Sequence, residues 1–345
     1  MNPDRRTFIK GVAAVGAGLA LTGTGSAQAQ NDSSKTSGGS GEIPRRKFGK
    51  TGVEVSCIGV GGHAIGQMKS KEEAIRLIRE AIDAGITFLD NCWDYHDGRS
   101  EEWMGEALRD GYREKAFLMT KVCTHERGKD VAMKQLEDSL RRLKTDYLDL
   151  WQIHEVVYWN SPELNFRKGG AVEALEEAKK QGKVRFVGFT GHKHPEIHLK
   201  MLSYKYPFDA CQLPLNCLDA SFMSFEKLVL PELQKQGIAA IGMKSMGGTG
   251  EMVKQGVVTA EEALRYAMSL PVAVTVSGMN SLEVFRQNLE IARNFKPMTP
   301  EEMEALRKRV AEKAADGRFE LYKITARFEG KEGRMQHGLP LSLQG

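Results

Sequence analysis

Four residues of this sequence have side chains that could act together on a carbonyl group: Asp90, Tyr95, Lys121 and His154. A tyrosine is a poor acid near neutral pH, because its ordinary pKa is about 10. An ammonium about 4 Å away would stabilise the phenolate by roughly 4 kcal/mol at an intermediate effective dielectric and so lower that pKa. A carboxylate would keep the ammonium charged and aimed, and a neutral imidazole could orient or polarise the carbonyl. The four types therefore suit protonation of a carbonyl oxygen while a hydride arrives at its carbon.

The positions of these residues distinguish them more than their types do. Taken singly, lysine and histidine at strand ends are commonly structural or solvated. Here Asp90, Lys121 and His154 each end one of three successive apolar, β-rich segments, and Tyr95 lies in the Gly-containing loop after the first. In a parallel α/β protein the carboxyl ends of the strands share one edge, where sites are built. The spacing predicts one site at that edge.

Short apolar runs alternate with amphipathic segments from residue 46 onwards. We predict strands over the apolar runs 56–61, 86–90, 116–121, 147–154, 184–190, 210–215, 238–243 and 272–277. Apolar spacings of three and four predict helices near 71–84, 100–110, 129–143, 171–181, 195–204, 224–236, 259–269 and 281–293. Gly85, Gly182 and Gly237 each follow a predicted helix, where a left-handed residue is needed. Eight β/α pairs in about 250 residues predict a single closed (β/α)8 TIM barrel.

The competing architecture is an open, doubly wound sheet. Such a sheet usually carries a GxGxxG phosphate-binding fingerprint after its first strand, which Gly59-Val-Gly61-Gly62 does not complete. We therefore predict the barrel over residues 46–315, with an N-terminal β-hairpin over 48–55 and an extra C-terminal helix near 300–315. The tail, residues 316–345, has little periodicity, and its sequence indicates no function.

Residues 1–29 have the pattern of an export signal. Arg5-Arg6-Thr-Phe8-Ile9-Lys10 precedes a Gly/Ala-rich run too short to span a bilayer, and Ala27-Gln28-Ala29 gives a small-residue cleavage pattern. The paired arginines resemble a twin-arginine signal; an ordinary secretory signal or a chance basic start is the alternative. The Ser/Gly-rich stretch 30–45 predicts a disordered linker. Export by the twin-arginine machinery, to the periplasm or another extracytoplasmic compartment and without a stable membrane anchor, is the expectation.

The composition is that of a soluble globular protein: 345 residues, 41% hydrophobic and 27% charged, with a net charge of +4. So mild a charge does not indicate nucleic-acid binding. Five cysteines without a CxxC pair make no disulfide framework, and Cys57, Cys92, Cys123 and Cys211 lie in or beside apolar runs, as small core residues do. No carboxylate or cysteine spacing closes a metal site around the histidines of 192–198, so no metal ion is predicted.

Several motifs together resemble the aldo/keto reductase family. Asp90 and Tyr95 reproduce the family's Asp and Tyr five residues apart, and its Gly-x-Ser-Glu-x-x-x-Gly follows over 98–105. Lys121 and His154 match the family's catalytic Lys and His. The joint presence of these motifs is specific.

The resemblance runs from about residue 46 to residue 294 and implies reversible hydride transfer between a nicotinamide cofactor and a carbonyl or alcohol. It implies that Tyr95 is the general acid, that Lys121 lowers its pKa, that Asp90 holds Lys121, and that His154 orients the carbonyl. A small-molecule aldehyde or ketone is the expected substrate.

The resemblance also implies a set of cofactor-binding positions: Gly62, Thr190, His192, Gln212, Met243, Lys244, Gly278 and Asn288. Gln212 matches a glutamine that contacts the carboxamide, and Asn288 matches an adenine-side asparagine. Where the family often has Ser-Asn, this sequence has Thr190-Gly191-His192. Where the family usually has an aromatic residue against the nicotinamide, this sequence has Met243.

Basic residues that many members place against the cofactor's 2′-phosphate are not in register, so that Lys244 or Arg286 would have to serve instead. The family's habit nevertheless favours NADP(H) over NAD(H). Substrate specificity is expected in loops such as 156–168, with Trp93, Tyr158 and Trp159 as candidate pocket residues.

Two functions stay open at this point. One is a carbonyl reductase, which the four intact catalytic types favour. The other is an exported nucleotide-binding regulatory or sensor barrel with little turnover, which the altered surroundings of the nicotinamide favour.

Overall fold

The computed structural model describes residues 41–123, 128–336 and 339–341, and the structural statements below concern these residues. The predicted export signal and most of the predicted linker lie outside them. Eight parallel strands close into a barrel in which each strand pairs with its neighbours in chain order and the last pairs with the first. The predicted barrel is confirmed. Its strands are β3 (Ile58–Gly61), β4 (Phe88–Asp90), β5 (Phe117–Cys123), β6 (Leu148–His154), β7 (Val184–Thr190), β8 (Ala210–Pro214), β9 (Ala239–Met243) and β10 (Val274–Gly278).

An antiparallel hairpin precedes the barrel, as predicted, and is formed by β1 (Arg45–Lys47) and β2 (Glu54–Ser56). Its turn brings Phe48 into the N-terminal end of the barrel, where its ring lies 4.9 Å from that of Phe117 and 6.1 Å from that of Phe88. Burial of aromatic rings at this end is strongly favourable. The barrel interior is therefore packed below the strand ends that carry polar side chains.

Helices cover the outside of the barrel. In the helix Lys71–Asp83, the apolar residues from Ala74 to Ile82 recur at helical spacing and are buried. Ser70 caps its start, and Gly85 beyond its end has a φ of +95°. The helices are α1 (Gly62–Ile65), α2 (Lys71–Asp83), α3 (Arg99–Ala107), α4 (Lys129–Leu143), α5 (Ser161–Phe166), α6 (Ala171–Lys180), α7 (Pro195–Ser203), α8 (Phe225–Leu228), α9 (Leu230–Gln236), α10 (Glu251–Lys254), α11 (Ala260–Ser269), α12 (Leu282–Arg293), α13 (Pro300–Ala314), α14 (Leu321–Ile324) and α15 (Lys331–Gln336).

One predicted helix is wrong, because the structure has two shorter helices in its place. The segment 224–236 forms two helices, α8 and α9, that meet at Val229. Pro231, which lies in the first turn of α9, has no N–H to donate and cannot occupy the interior of a continuous helix. The helix therefore breaks and restarts just before the proline.

The predicted extra helix is α13, and the tail that follows it is packed against the barrel. Lys323 of α14 is buried and donates to Asp219 Oδ1 at 2.7 Å, to Glu320 Oε2 at 2.9 Å and to the carbonyl of Phe222 at 2.7 Å. A buried ammonium needs such partners to offset its desolvation. The tail is therefore held to the C-terminal edge of the barrel. None of the helices in the described part of the chain has the length and apolar character needed to cross a membrane.

Candidate active site

A buried ion pair and a tyrosine meet at the C-terminal edge of β4 and β5. Lys121 Nζ lies 2.7 Å from Asp90 Oδ1 and 3.3 Å from the hydroxyl oxygen of Tyr95, and it also donates to the carbonyl of Asn91 at 2.6 Å. Lys121 is 1% exposed and Asp90 4% exposed. The structure thus brings together three of the four residues singled out in the sequence, with the ammonium between the carboxylate and the phenol.

The backbone around β4 explains this arrangement. Parallel pairing places Phe88 beside Phe117 and Leu89 beside Leu118, so that both strands run to the same edge. The chain then turns, with the N–H of Trp93 bonded to the carbonyl of Lys121 at 3.0 Å. This bond carries the loop after β4 across the end of β5 and delivers Tyr95 to the ammonium.

The pKa of Tyr95 departs from the sequence-based expectation. Burial raises it well above the ordinary value, and the negative charges of Asp90, Asp94 and Glu155 raise it further. The shift is upward even though the ammonium of Lys121, which is also paired with Asp90 at 2.7 Å, lies 3.3 Å from the hydroxyl oxygen. Tyr95 is therefore a neutral phenol at physiological pH, which is the form that can donate a proton.

His154, at the end of β6, is the fourth predicted catalytic residue and lies beside Tyr95. The two rings are perpendicular, with centroids 6.1 Å apart. Nδ1 of His154 lies 3.1 Å from the sulfur of Cys92, which is buried. A thiol that donates to Nδ1 leaves the proton of a neutral imidazole on Nε2, where it can be offered to a carbonyl oxygen.

His63 joins the site although it was not predicted. Its ring meets the ring of Tyr95 edge-on at 5.2 Å. His63 is exposed as a residue, but partial desolvation of its ring and the charges of His96, Lys244 and Lys121 lower its pKa to about 4, so it is neutral at pH 7. The signal was available in the sequence, because His63 follows the end of β3 as Tyr95 follows the end of β4.

A second buried pair, Glu155 and His192, lies next to the first. His192 Nε2 is 2.6 Å from Glu155 Oε1, and Glu155 also accepts from the N–H of Gly330 at 2.9 Å. Burial alone would raise the pKa of Glu155, but the hydrogen bond from His192 brings it well below its ordinary range. His192, which was predicted to bind the cofactor, is bonded to the carboxylate of Glu155. Sequence spacing did not reveal this contact.

Lys244 lies in the same mouth. Its ammonium packs over the rings of Tyr322, at 5.3 Å, and Phe328, at 4.9 Å, both from the tail. Burial lowers the pKa of Lys244 to about 8, although the negative charge of Glu155 opposes this shift. Lys244 is thus placed near the catalytic group and is partly deprotonated slightly above neutral pH.

The tail covers this side of the barrel mouth. Glu329 accepts from Tyr158 at 3.1 Å and pairs with Lys193 at 2.8 Å, while Lys193 also donates to the carbonyl of Thr325 at 2.8 Å. Of the predicted pocket residues, Tyr158 therefore contacts the tail. Trp159 is exposed, and its ring packs at a tilt against that of His194 with centroids 4.9 Å apart.

The remaining predicted cofactor residues fall into two groups. Gln212 lies in the site, where it donates to Asp90 at 3.3 Å and accepts from Gln152 at 3.1 Å. Thr190 is buried at the end of β7, and Met243 is partly exposed at the end of β9. Gly62, where a Cβ would lie 2.4 Å from the carbonyl oxygen of Asp90, is required by packing against β4.

Gly278 and Asn288 lie on the β10 side of the barrel, away from the tail. Gly278 is exposed at the strand end, and Asn288 of α12 is buried and donates to Ser277 at 3.0 Å. The side-chain oxygen of Asn288 is buried and has no hydrogen-bond partner among the described residues. A free buried acceptor beside an open strand end fits the adenine end of a dinucleotide. Arg286 is exposed on the same helix.

Comparison with known proteins agrees with this geometry. The sequence model of the Aldo/keto reductase family matches residues 57–254. The uncharacterized oxidoreductase YqkF of Bacillus subtilis (strain 168) is 26% identical over 306 residues, which cover 76% of this chain and 95% of that relative. The methylglyoxal reductase YeaE of Escherichia coli (strain K12) is 37% identical over 146 residues, 42% of this chain and only 49% of its own length.

Solved structures share the barrel. An aldo-keto reductase from Bacillus halodurans in its holo form superposes with a TM-score of 0.66 at 23% identity, covering 78% of this chain and 96% of that one. An aldo-keto reductase from Klebsiella pneumoniae in complex with NADPH gives a TM-score of 0.63 at 22% identity, covering 77% and 95%. At these identities the likeness establishes the fold.

Proposed function

Because the chain belongs to the aldo/keto reductase family and is an NAD(P)-dependent oxidoreductase, we propose that it reduces an aldehyde or ketone to an alcohol with Tyr95 as the general acid. One observation carries the proposal: the ammonium of Lys121 lies between Asp90, at 2.7 Å, and Tyr95, at 3.3 Å. This is the arrangement that a proton donor needs when its conjugate base must be stabilised in a buried site.

Each residue then has a distinct task. The nicotinamide, when bound, supplies the hydride. The phenol of Tyr95 gives its proton to the substrate oxygen, which is a favourable transfer because an alkoxide is a stronger base than a phenolate. Lys121 stabilises the phenolate that remains, Asp90 keeps Lys121 charged, and His154 offers its Nε2 proton to the carbonyl oxygen.

For the cofactor we propose NADP(H) rather than NAD(H). Gly278 and Asn288 would hold the adenine end, and Gln212 the carboxamide. Arg286, exposed on α12 close to Asn288 in sequence, is the better candidate for the 2′-phosphate, because the ammonium of Lys244 packs over two aromatic rings of the tail. Titration of the purified protein with NADPH and NADH, followed by quenching of tryptophan fluorescence, tests this, with Arg286→Ala expected to weaken NADPH selectively.

The test of the reaction is single-turnover absorbance of bound NADPH with a panel of small aldehydes and ketones. Oxidation of the cofactor by wild-type protein, and its loss in Tyr95→Phe with cofactor binding retained, is the expected result. One observation favours the competing function, a nucleotide-binding sensor barrel: the tail contacts residues that were predicted to bind the cofactor. Gly330 of the tail bonds to Glu155, which in turn bonds to His192, and Tyr322 of the tail packs against Lys244. Tight binding of NADPH without turnover on any carbonyl of the panel would support the sensor.

We further propose that the protein is exported by the twin-arginine route and takes its cofactor with it. The motif at Arg5-Arg6 supports the route, and that route carries folded proteins, so a barrel could leave already loaded. The tail over the mouth offers a physical reason for slow release. Cell fractionation of Arg5-Arg6→Lys-Lys should find the protein retained in the cytoplasm. Native periplasmic protein that releases no nucleotide on denaturation would contradict the captive cofactor.

A further inference from the structure

Three metal-binding side chains converge beside the catalytic group. Cys92, Asp94 and His154 each direct one ligand atom to a common point, and these atoms lie within 4.8 Å of one another. The sulfur of Cys92 is 3.1 Å from Nδ1 of His154, and that nitrogen is 3.9 Å from Oδ1 of Asp94. They form the one such group of three in the described part of the chain.

The spacing is close to what a zinc ion requires. With Zn–N and Zn–O distances of about 2.0–2.1 Å and a Zn–S distance of about 2.3 Å, ligand atoms of a tetrahedral site with one sulfur lie about 3.3–3.6 Å apart. The Sγ–Nδ1 separation of 3.1 Å lies just below that range, the Nδ1–Oδ1 separation of 3.9 Å lies just above it, and all three ligand atoms lie within 4.8 Å of one another. Side-chain movement is therefore needed to bring them to one ion. A thiolate, an imidazole and a carboxylate together suit the borderline-soft Zn²⁺ rather than Mg²⁺ or Ca²⁺.

A buried oxygen of the Asp94 carboxylate could be stabilised by a bound cation. Oδ1 of Asp94 is buried and has no close hydrogen-bond partner among the described residues, and the thiol of Cys92 is the side chain that interacts with this carboxylate. A buried acceptor without a partner is unfavourable, and a metal ion is one way to satisfy it. The positive charge of Lys121, which acts on Asp94, is already matched by Asp90 at 2.7 Å, and Glu155 is bonded to His192. The thiolate and Asp94 would balance the two charges of the ion.

We propose that Cys92, Asp94 and His154 form a zinc site with an open fourth position at the barrel mouth. Binding forms a Zn–S bond, a Zn–N bond and a Zn–O bond, and the thiol proton of Cys92 is released to solvent. The site shares His154 with the proposed reductase, so its occupation would remove the thiol donor from Nδ1 and place a cation beside Tyr95. This inhibitory effect rests on the proposed function, whereas the binding itself does not.

The test uses the purified, metal-stripped full-length chain and Co²⁺ as a spectroscopic probe, followed by Zn²⁺ competition. Wild-type protein should bind one equivalent of Co²⁺ and show a near-ultraviolet thiolate-to-cobalt band with visible bands of a tetrahedral ion. Cys92→Ala should lose the thiolate band. Asp94→Asn should keep the band but bind at least about 10-fold more weakly, the lower end of what loss of even an outer-shell partner costs.

Cys211→Ala is the matched control, since Cys211 is equally buried but belongs to no such group. It should bind Co²⁺ like the wild type, with circular dichroism confirming that every variant is folded. No thiolate band in the wild type, or a band that persists in Cys92→Ala, would overturn the site. Inhibition of carbonyl reduction by Zn²⁺ is measured separately, so that an inactive enzyme still reports on the metal.

Discussion

Lys121→Met is the substitution that most directly separates catalysis from folding in this site. It removes an ammonium 3.3 Å from the hydroxyl oxygen of Tyr95 and keeps most of the side-chain volume. A full charge at that separation contributes about 5 kcal/mol at an effective dielectric of about 20. If half of the phenolate charge has developed in the transition state, about 2.5 kcal/mol is lost, and kcat for reduction should fall on the order of 10²-fold.

Stability changes at the same time and must be measured apart. Lys121 and Asp90 are both buried, so that removing the lysine leaves an uncompensated carboxylate, which typically destabilises a protein by about 3–5 kcal/mol. The double variant Lys121→Met/Asp90→Asn has neither charge and should recover much of this loss in a urea unfolding curve. Its kcat should stay as low as that of the single variant, because the phenolate still has no ammonium.

The assay is the initial rate of NADPH oxidation at saturating cofactor, with the unfolding curve recorded on the same preparations. Lys115→Met is the control, since this exposed lysine just before β5 lies far from Tyr95 in the sequence and contacts Asp83 at 3.7 Å and the ring of Tyr112 at 4.6 Å. A double variant that regains wild-type activity together with its stability would refute the assignment of Lys121 to the proton transfer. A single variant with kcat close to that of the control would refute it as well.

The other predictions concern the acid, its titration and the tail. Tyr95→Phe removes the transferable proton and keeps the ring, so turnover should fall by roughly 10² or more while fluorescence titration shows unchanged NADPH binding; a near wild-type rate would contradict the mechanism. Because burial raises the pKa of Tyr95, the phenol stays protonated through neutral pH. Reduction should therefore be nearly independent of pH there, whereas alcohol oxidation, which needs the phenolate, should rise with pH. Asp90→Asn removes a charge that raises this pKa and should move that rise to lower pH; initial rates in both directions decide. Lys323→Met breaks the buried contacts to Asp219 and Glu320 and should release the tail, seen as faster limited proteolysis near the C-terminus and faster NADPH dissociation in stopped-flow fluorescence. Unchanged proteolysis would mean that other contacts hold the tail.

The strands, the helices and the ends of the helices depend mostly on residues close together in the sequence, and these features were predictable. The strand that ends at Thr190 lies where its apolar run lies, and helices such as α4 follow their apolar spacing. Left-handed residues at Gly85, Gly182 and Gly237 follow from the backbone demand at helix ends. Each of these features depends on residues within a few positions of one another.

The tail could not be predicted because its contacts are distant in sequence. Lys323 reaches Asp219, and the N–H of Gly330 reaches Glu155. Short helices with no apolar period give no signal of burial, and an acid or lysine in such a segment has the same sequence appearance whether solvated or buried. Only the closed barrel brings these partners together.

The titration of Tyr95 shows a different limit. The sequence identified its partner, Lys121, and the structure places the two 3.3 Å apart. The direction of the pKa shift depends on how much water is removed and on which other charges are near, and neither quantity can be obtained from residue spacing. Burial and the surrounding negative charges raise the pKa of Tyr95, and residue spacing did not reveal these contributions.

The surroundings of His154 depend both on contacts between distant residues and on the local environment of each side chain. The sequence predicts Cys92 to be a small core residue, and it is buried, but it also lies 3.1 Å from Nδ1 of His154. The loop after β4 carries Cys92, Asp94 and Tyr95 in four positions, and the end of β6 brings His154 to them. The carboxyl ends of the parallel strands bring Tyr95 close to His154. The same arrangement also brings Cys92 and Asp94 close to His154. Proton transfer and metal binding would then compete for a single side chain, and free zinc would determine which of them occurs.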